Sequence, residues 1–305
     1  ASGYGIAELL ASPDAITQEV SQDAGRLGDL AGLDVIHLQC HLGLDTVSLS
    51  RLGAVRVVGL DISPESLRRA RSLAARAGVD VELVEANVYD ARTAVAGSFD
   101  LVYTTLGVLC WLPDIEAWAR VVASLLRPGG RLLLRDDHPA FMAVGDDVAH
   151  GLTLHEPYFQ QPEPMTWEDD GSYVTVPDGT APIAHTRSHQ WNHAVGEILT
   201  ALLRAGLVLD EVAETRVSAW CRWPDLMEPC EEGYRFADPA TREMLPLQLL
   251  VAAHRPAAGS SAGDSPSAGS PSGGSIDGSP AGGSPADGSA GPSADGPAGR
   301  AREVG

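Results

Sequence analysis

Short apolar runs alternate with amphipathic stretches through the first 255 residues of the chain. Seven such runs read as strands, near 34–39, 55–60, 81–85, 100–104, 131–135, 208–214 and 247–253. Strands separated by helical stretches predict an α/β fold: a doubly wound, seven-stranded, mostly parallel sheet covered on both faces. The clearest helix is "SPESLRRARSLAARAG", with Ser63 as N-cap, Pro64 at the first helical position and Gly78 as terminator. Leu67, Ala70, Leu73, Ala74 and Ala77 form its apolar stripe. A second helix is expected over 114–126, stopped by Pro128 in "RPGG", whose glycines permit a reversal into the next strand. A third starts near Ala194, and an N-terminal helical segment (1–32) is centred on 15–24.

Two stretches break the alternation. Residues 139–192, between the fifth strand and the next helix, are rich in Pro, Tyr, Trp and His, which suits a lid or substrate-binding insertion. Residues 256–305 are almost only Gly, Ser, Ala, Pro and Asp, too polar and small to offset their ordering entropy, and read as a disordered tail. The folded domain is therefore 1–255.

The net charge is −20, of which the tail, with five acids and two arginines, supplies −3 and the rest −17. A surface this acidic repels phosphate backbones, so no nucleic-acid partner is expected. Every basic residue is arginine, which excludes a catalytic lysine. No apolar run reaches the roughly 20 residues of a membrane span, and the N-terminus lacks a signal-peptide plan, so a cytoplasmic protein with no membrane partner is expected. Four cysteines without CxxC spacing fit reduced thiols in that compartment.

The stretch "VIHLQCHLGLDT" places His37, Cys40 and His41 close together. As a metal site it fails on geometry, because a strand sends His37 and Gln39 to the face opposite Leu38, and no second cluster completes a tetrahedral set. At the first strand-to-helix turn of a doubly wound sheet it suits a cofactor loop, with Gly43 allowing close approach. Asp61, eighteen residues later at the end of the second strand, can accept hydrogen bonds from ribose hydroxyls or begin the next helix.

With "VVGLDIS", "VEANVYD", "SFDLVYTTLGVLCWLPD" and "LLRPGGRLLLRDDHP", the core over 33–136 resembles the class I, Rossmann-like S-adenosylmethionine-dependent methyltransferases. "HLQCHLGLDT", "GVLCWLPD" and "WNHAVGEILTALLRAGL" are similar to a bacterial subgroup acting on small molecules. The resemblance implies S-adenosyl-L-methionine as cofactor, contacted by Gln39, His41, Gly43, Asp45, Thr46, Asp61, Ile62, Asn87, Val88 and Thr104. It also shows departures: His37 stands where the family has an acid, Gln39 and His41 where it has the first two of three glycines, and Asn87 where it often has Asp. Gln39 and His41 are then expected to reach the methionine end.

The chemistry implied is methyl transfer to a small-molecule acceptor at O, N or C, in bacterial specialised metabolism. Alignment of the reactants supplies roughly 7–11 kcal/mol, and only a hydroxyl or carbon acceptor also needs a base. His138, His189 and His193 are the candidates, with His185 beside them. Trp111, Tyr158 and Trp191, with Trp167 and Tyr173, could wall an apolar acceptor. Two other readings remain at this point: a cofactor-binding protein that transfers no methyl group, motivated by the altered glycines, and a nicotinamide-dependent oxidoreductase, although the loop lacks GxGxxG.

Overall fold

A computed structural model describes residues 5–168 and 187–257. Tyr173, His185 and the expected tail from 258 onward lie outside the described residues. The strands are β1 (Asp34–Leu38), β2 (Arg56–Asp61), β3 (Glu82–Glu85), β4 (Phe99–Thr105), β5 (Leu126–Asp137), β6 (Met165–Glu168), β7 (Arg187–Gln190), β8 (Val208–Thr215), β9 (Met227–Cys230), β10 (Gly233–Phe236) and β11 (Gln248–His254). The helices are α1 (Ile6–Ala11), α2 (Gln18–Leu27), α3 (Leu44–Arg51), α4 (Pro64–Ala77), α5 (Ala91–Ala94), α6 (Ile115–Leu125), α7 (Pro139–Ala143), α8 (Val195–Arg204) and α9 (Pro239–Arg242).

Seven strands form one sheet in the order β3-β2-β1-β4-β5-β11-β8. The first five pair in parallel, and β11 runs antiparallel to both β5 and β8. Strand order reverses between β1 and β4, the point where the carboxyl edge of such a sheet opens a crevice. Side chains alternate across the sheet as the period of two requires. Ile36, Leu38, Val58, Leu60, Val102 and Leu134 meet Trp118, Val122, Ile198 and Leu202 from α6 and α8 on one face. Val35, Val57, Leu101, Tyr103 and Leu133 meet Val20 and Leu27 of α2 and Leu49 of α3 on the other.

The helix signals act as read. Ser63 Oγ accepts the Ser66 amide, Pro64 opens α4, and Gly78 closes it in the left-handed conformation. Asp114 Oδ1 takes the Ala117 amide at the start of α6. The "LRPGG" stretch differs from expectation. It is already strand, since β5 begins at Leu126 with a register irregularity opposite Phe99 and Leu101. Gly129 donates to the Arg255 carbonyl and Gly130 accepts from the Arg255 amide, so the glycines extend the sheet instead of reversing the chain.

The described part of the 139–192 insertion forms α7 and an antiparallel pair in which Thr166 faces His189. A second addition between β8 and β11, unforeseen in the sequence, carries β9, β10 and α9. Its Trp223, Met227 and Phe236 pack with Phe141 and Val144 in an apolar cluster of their own.

A buried charge pair joins α2 to the sheet. Arg135 is 4% exposed and Asp23 fully buried. Arg135 Nε donates to Asp23 Oδ1 at 3.0 Å, its Nη2 reaches the same oxygen, and Nη1 donates to Gln248 Oε1. Tyr103 donates to Asp23 Oδ2 at 3.0 Å. Removing one partner strands a charge in low dielectric, so Arg135→Met should lower unfolding free energy by about 3–5 kcal/mol. Urea denaturation should show Arg135→Met with Asp23→Leu recovering most of that loss, whereas a double variant as unstable as the single one would locate the cost in packing instead.

Candidate active site

A cleft of about 930 Å³ opens at the switch point between β1 and β4. Its floor is the loop after β1 with Thr105 and Leu106, and its other wall comes from α1, α2 and the turn Glu231–Glu232 between β9 and β10. Gln18 Nε2 donates to the Glu231 carbonyl and Gln22 Nε2 to that of Glu232, which fastens the turn to α2. Among the described residues, the N-terminal segment and the β9–β10 turn wall this cleft, and none of its lining comes from 139–168 or 187–192.

The loop after β1 alternates left-handed residues: Gln39 at φ 54°, His41 at φ 49° and Gly43 at φ 75°. Glycine adopts such φ values without strain, and at two of the three positions a polar side chain stands instead. Gly43 is needed for packing as well as for φ, because a Cβ there would lie 2.9 Å from the Ala70 Cβ on α4. Asp61 holds this loop from β2: its Oδ2 accepts the His41 amide and its Oδ1 the Ser63 amide, both at 2.8 Å.

Beneath the loop runs a hydrogen-bonded chain. Thr17, the N-cap of α2, donates to Asp45 Oδ1 at 2.6 Å, and Thr105 donates to Asp45 Oδ2 at 2.7 Å. Because the Thr105 proton is committed to Asp45, its oxygen receives the His37 Nε2 proton at 3.3 Å. His37 Nδ1 then accepts from Thr46 Oγ1 at 2.9 Å. Burial pulls the His37 pKa down, so the imidazole is neutral and its tautomer is set. His37 turns to two threonines, while burial pushes the Cys40 thiol up to about 12.

The expected site residues separate into groups. Gln39, His41, Gly43 and Asp45 line the cleft together. Asp61, Ile62 and Asn87 lie beyond it at the carboxyl ends of β2 and β3, with Ile62 64% exposed and Asn87 Oδ1 taking the Tyr89 amide. Three other residues expected at the cofactor have buried side chains. Thr46 is buried under the loop, Val88 joins the cluster around Trp118, and Thr104 points to the α6 face while Thr105 faces the cleft. Thr105 was missed because in "LVYTTLG" a shift of one residue exchanges the two faces.

The three histidines expected as bases have their partners outside this cleft. His138 caps α7, its Nδ1 accepting the Ala140 amide and its Nε2 proton going to Glu214 Oε1 at 2.8 Å. His193 is buried between Leu112 O at 2.8 Å and Gln160 Oε1 at 3.1 Å, and His189 sits exposed on the β6–β7 pair beside Thr166. None of the three lines the cleft. The aromatic candidates are likewise elsewhere. Tyr158 accepts the Val195 amide at the start of α8, the Trp191 amide is tied to the Cys110 carbonyl, and Trp111 is 44% exposed after β4.

At the end of β5 the "DD" pair has its own chemistry. Asp136 accepts the amides of Gly107, Val108, Leu109 and Asp137, which fixes the loop after β4. Asp137 takes the Trp220 indole proton on Oδ2 and keeps Oδ1 buried without a partner. Burial and the neighbouring Asp136 push its carboxyl up to about 7.

Residues 35–130 match the family model described as "Methyltransferase domain". This stretch is a methyltransferase domain. Ubiquinone biosynthesis O-methyltransferase of Xanthomonas euvesicatoria is 41% identical to this chain over 106 residues, which are 35% of this chain and 44% of that protein. The Escherichia coli protein of the same name is 36% identical over 107 residues, again 35% and 44%. The chain thus spans less than half the length of these relatives. The fold is shared more widely. An S-adenosylmethionine-dependent methyltransferase of Mesorhizobium loti aligns over 80% of this chain and all of its own with a TM-score of 0.53 at 24% identity. One from Clostridium acetobutylicum aligns over 78% and 89% with a TM-score of 0.52 at 13% identity. The methyltransferase domain therefore sits in a Rossmann-like class I sheet, with the cleft at its switch point.

Asp137 supplies a pH test of this edge. A carboxyl raised in the folded state binds its proton more tightly than in the unfolded chain, so it removes stability as pH rises from about 4 to about 7. Asp137→Asn should gain on the parent protein through that window in urea unfolding free energy. A difference constant with pH would show Asp137 to be unperturbed.

Proposed function

We propose that the chain transfers the methyl group of S-adenosylmethionine to a small-molecule acceptor, in the specialised metabolism of a bacterium. The observation that carries this reading is the coincidence of the methyltransferase domain with a cleft whose loop holds the left-handed backbone conformation at Gln39, His41 and Gly43. The groups present suit the cofactor. Gln39 Oε1 is buried with no partner on the cleft wall, an acceptor that fits an α-ammonium. Each Asp61 oxygen accepts only one amide, so lone pairs remain for ribose hydroxyls. Exposed Ile62 offers an apolar surface beside it.

Gln39, His41, Gly43 and Asp45 would hold the amino-acid end, and Asp61, Ile62 and Asn87 the nucleoside. The bound cofactor supplies an electrophilic methyl group on a sulfonium. What the chain does is bind, orient and exclude water, since alignment alone carries several kcal/mol of the barrier. The hydrogen-bonded chain from Thr17 to Thr46 keeps the floor of the cleft from relaxing. With the histidines engaged elsewhere, no imidazole base is assigned. The acidic surface argues against a nucleic-acid acceptor, and among the described residues no helix is long and apolar enough to cross a membrane. A cytoplasmic setting belongs to the same proposal.

Calorimetry with S-adenosylhomocysteine should give binding that Asp61→Ala weakens by about 1–3 kcal/mol. Unchanged affinity in the variant would remove Asp61 from the site, and no binding by the parent protein would remove the reading.

A further inference from the structure

Thr17 stands at the start of α2, outside the matched residues 35–130, and its side chain reaches the cleft. It is the N-cap of that helix, but the distances rank capping second. The Val20 amide lies 3.4 Å from Thr17 Oγ1, past the usual length of an N–H···O bond. Thr17 Oγ1 lies 2.6 Å from Asp45 Oδ1, the length of a hydrogen bond to a charged oxygen. The hydroxyl has one proton to give, and Asp45 takes it. Ser48 joins the same two elements, its Oγ accepting the Thr17 amide at 3.0 Å and donating to the Leu44 carbonyl.

Asp45 is where the donors end. Thr46 gives its proton to His37 Nδ1, His37 Nε2 gives one to Thr105, and Thr105 gives one to Asp45 Oδ2. That chain and Thr17 therefore deliver one proton to each oxygen of a single carboxylate, half-buried in the first turn of α3 on the cleft wall. A carboxylate tied at one oxygen can still turn about its side-chain torsions. Tied at both, it keeps one orientation, and each oxygen retains a lone pair for a further donor. Thr105 is buried at the end of β4, inside the sheet, whereas Thr17 comes from a helix that packs on the sheet through Val20 and Leu27.

We infer that Thr17 is a positioning residue for cofactor binding: by holding Asp45 Oδ1 it aims the carboxylate at the α-ammonium of the cofactor's amino-acid end. The inference rests on the proposed cofactor with Asp45 at that end, and it makes the N-terminal helix part of the site.

Two adenosine derivatives separate positioning from plain support of the wall. S-adenosylhomocysteine carries the amino-acid end, and 5′-methylthioadenosine has the same nucleoside and a thioether without it. The full chain is titrated calorimetrically with each. Thr17→Val, which keeps the shape and removes the hydroxyl, should weaken S-adenosylhomocysteine about tenfold, about 1.4 kcal/mol, and leave 5′-methylthioadenosine within about twofold. Thr17→Gly, which still suits an N-cap but brings no donor, should do the same, and Thr17→Ser should bind both ligands as the parent does. In an Asp45→Asn background the Thr17→Val change should be silent, because its effect passes through that carboxylate. Equal loss of both ligands would mean a loosened wall and overturns the positioning role. Unchanged affinity for S-adenosylhomocysteine in Thr17→Val, or a loss that persists undiminished in the Asp45→Asn background, overturns it as well. If the parent protein does not bind S-adenosylhomocysteine, it is the cofactor reading that falls.

Discussion

The charge pair between Arg135 and Asp23 is the constraint on which the site depends. Buried charges persist only when paired and hydrogen-bonded, and here Tyr103 and Gln248 complete the set. Because Asp23 belongs to α2 and Arg135 to β5, the pair holds the N-terminal helix against the face of the sheet that carries His37 and Tyr103. From that anchor α2 presents Thr17 to Asp45 and Glu19 to the cleft. One wall of the methyltransferase domain's cleft is thus supplied from outside residues 35–130, held by this buried network together with the packing of Val20 and Leu27 on the sheet.

Much of the fold was legible because it is written in local patterns. Apolar runs separated by amphipathic stretches produced all seven strands of the sheet, and Ser63, Pro64 and Gly78 bounded α4 by capping chemistry that needs no distant partner. The "RPGG" stretch was misread because Gly129 and Gly130 bond to Arg255, more than a hundred residues away. The second addition, over β9 and β10, gave no periodic signal strong enough to mark it as a wall of the cleft, since what places Glu231 there is a pair of glutamine hydrogen bonds from α2.

The site was legible in its backbone and less so in its side chains. The glycine positions of the resembled family coincide with left-handed residues here, even where Gln39 and His41 have replaced glycine. The histidines show the opposite. Residue type announces a possible base, but His138, His189 and His193 are engaged by Glu214, Thr166, Gln160 and Leu112 O, partners distant in sequence. Acidic residues at 19, 231 and 232 carried no such announcement, being three among 41 acids, and only the fold brings them to one cavity.

Left-handed backbone at a residue with a Cβ costs about 1–2 kcal/mol, so Gln39 and His41 are strained where glycine would not be. The loop around them is heavily determined: the Cys40 amide bonds to the Leu60 carbonyl, the His41 amide to Asp61, and the Gly43 amide to the Cys40 carbonyl. Those bonds hold the conformation whatever the side chains are, so glycine at 39 and 41 would fold with less strain. What the two residues add is polar reach on the cleft wall, the amide of Gln39 and the imidazole of His41. Among the described residues no arginine lines the cleft, so these two polar side chains stand beside acids and uncharged groups alone. The strain at 39 and 41 thus falls where polar groups meet the cleft, and the network beneath the loop is what keeps it in place.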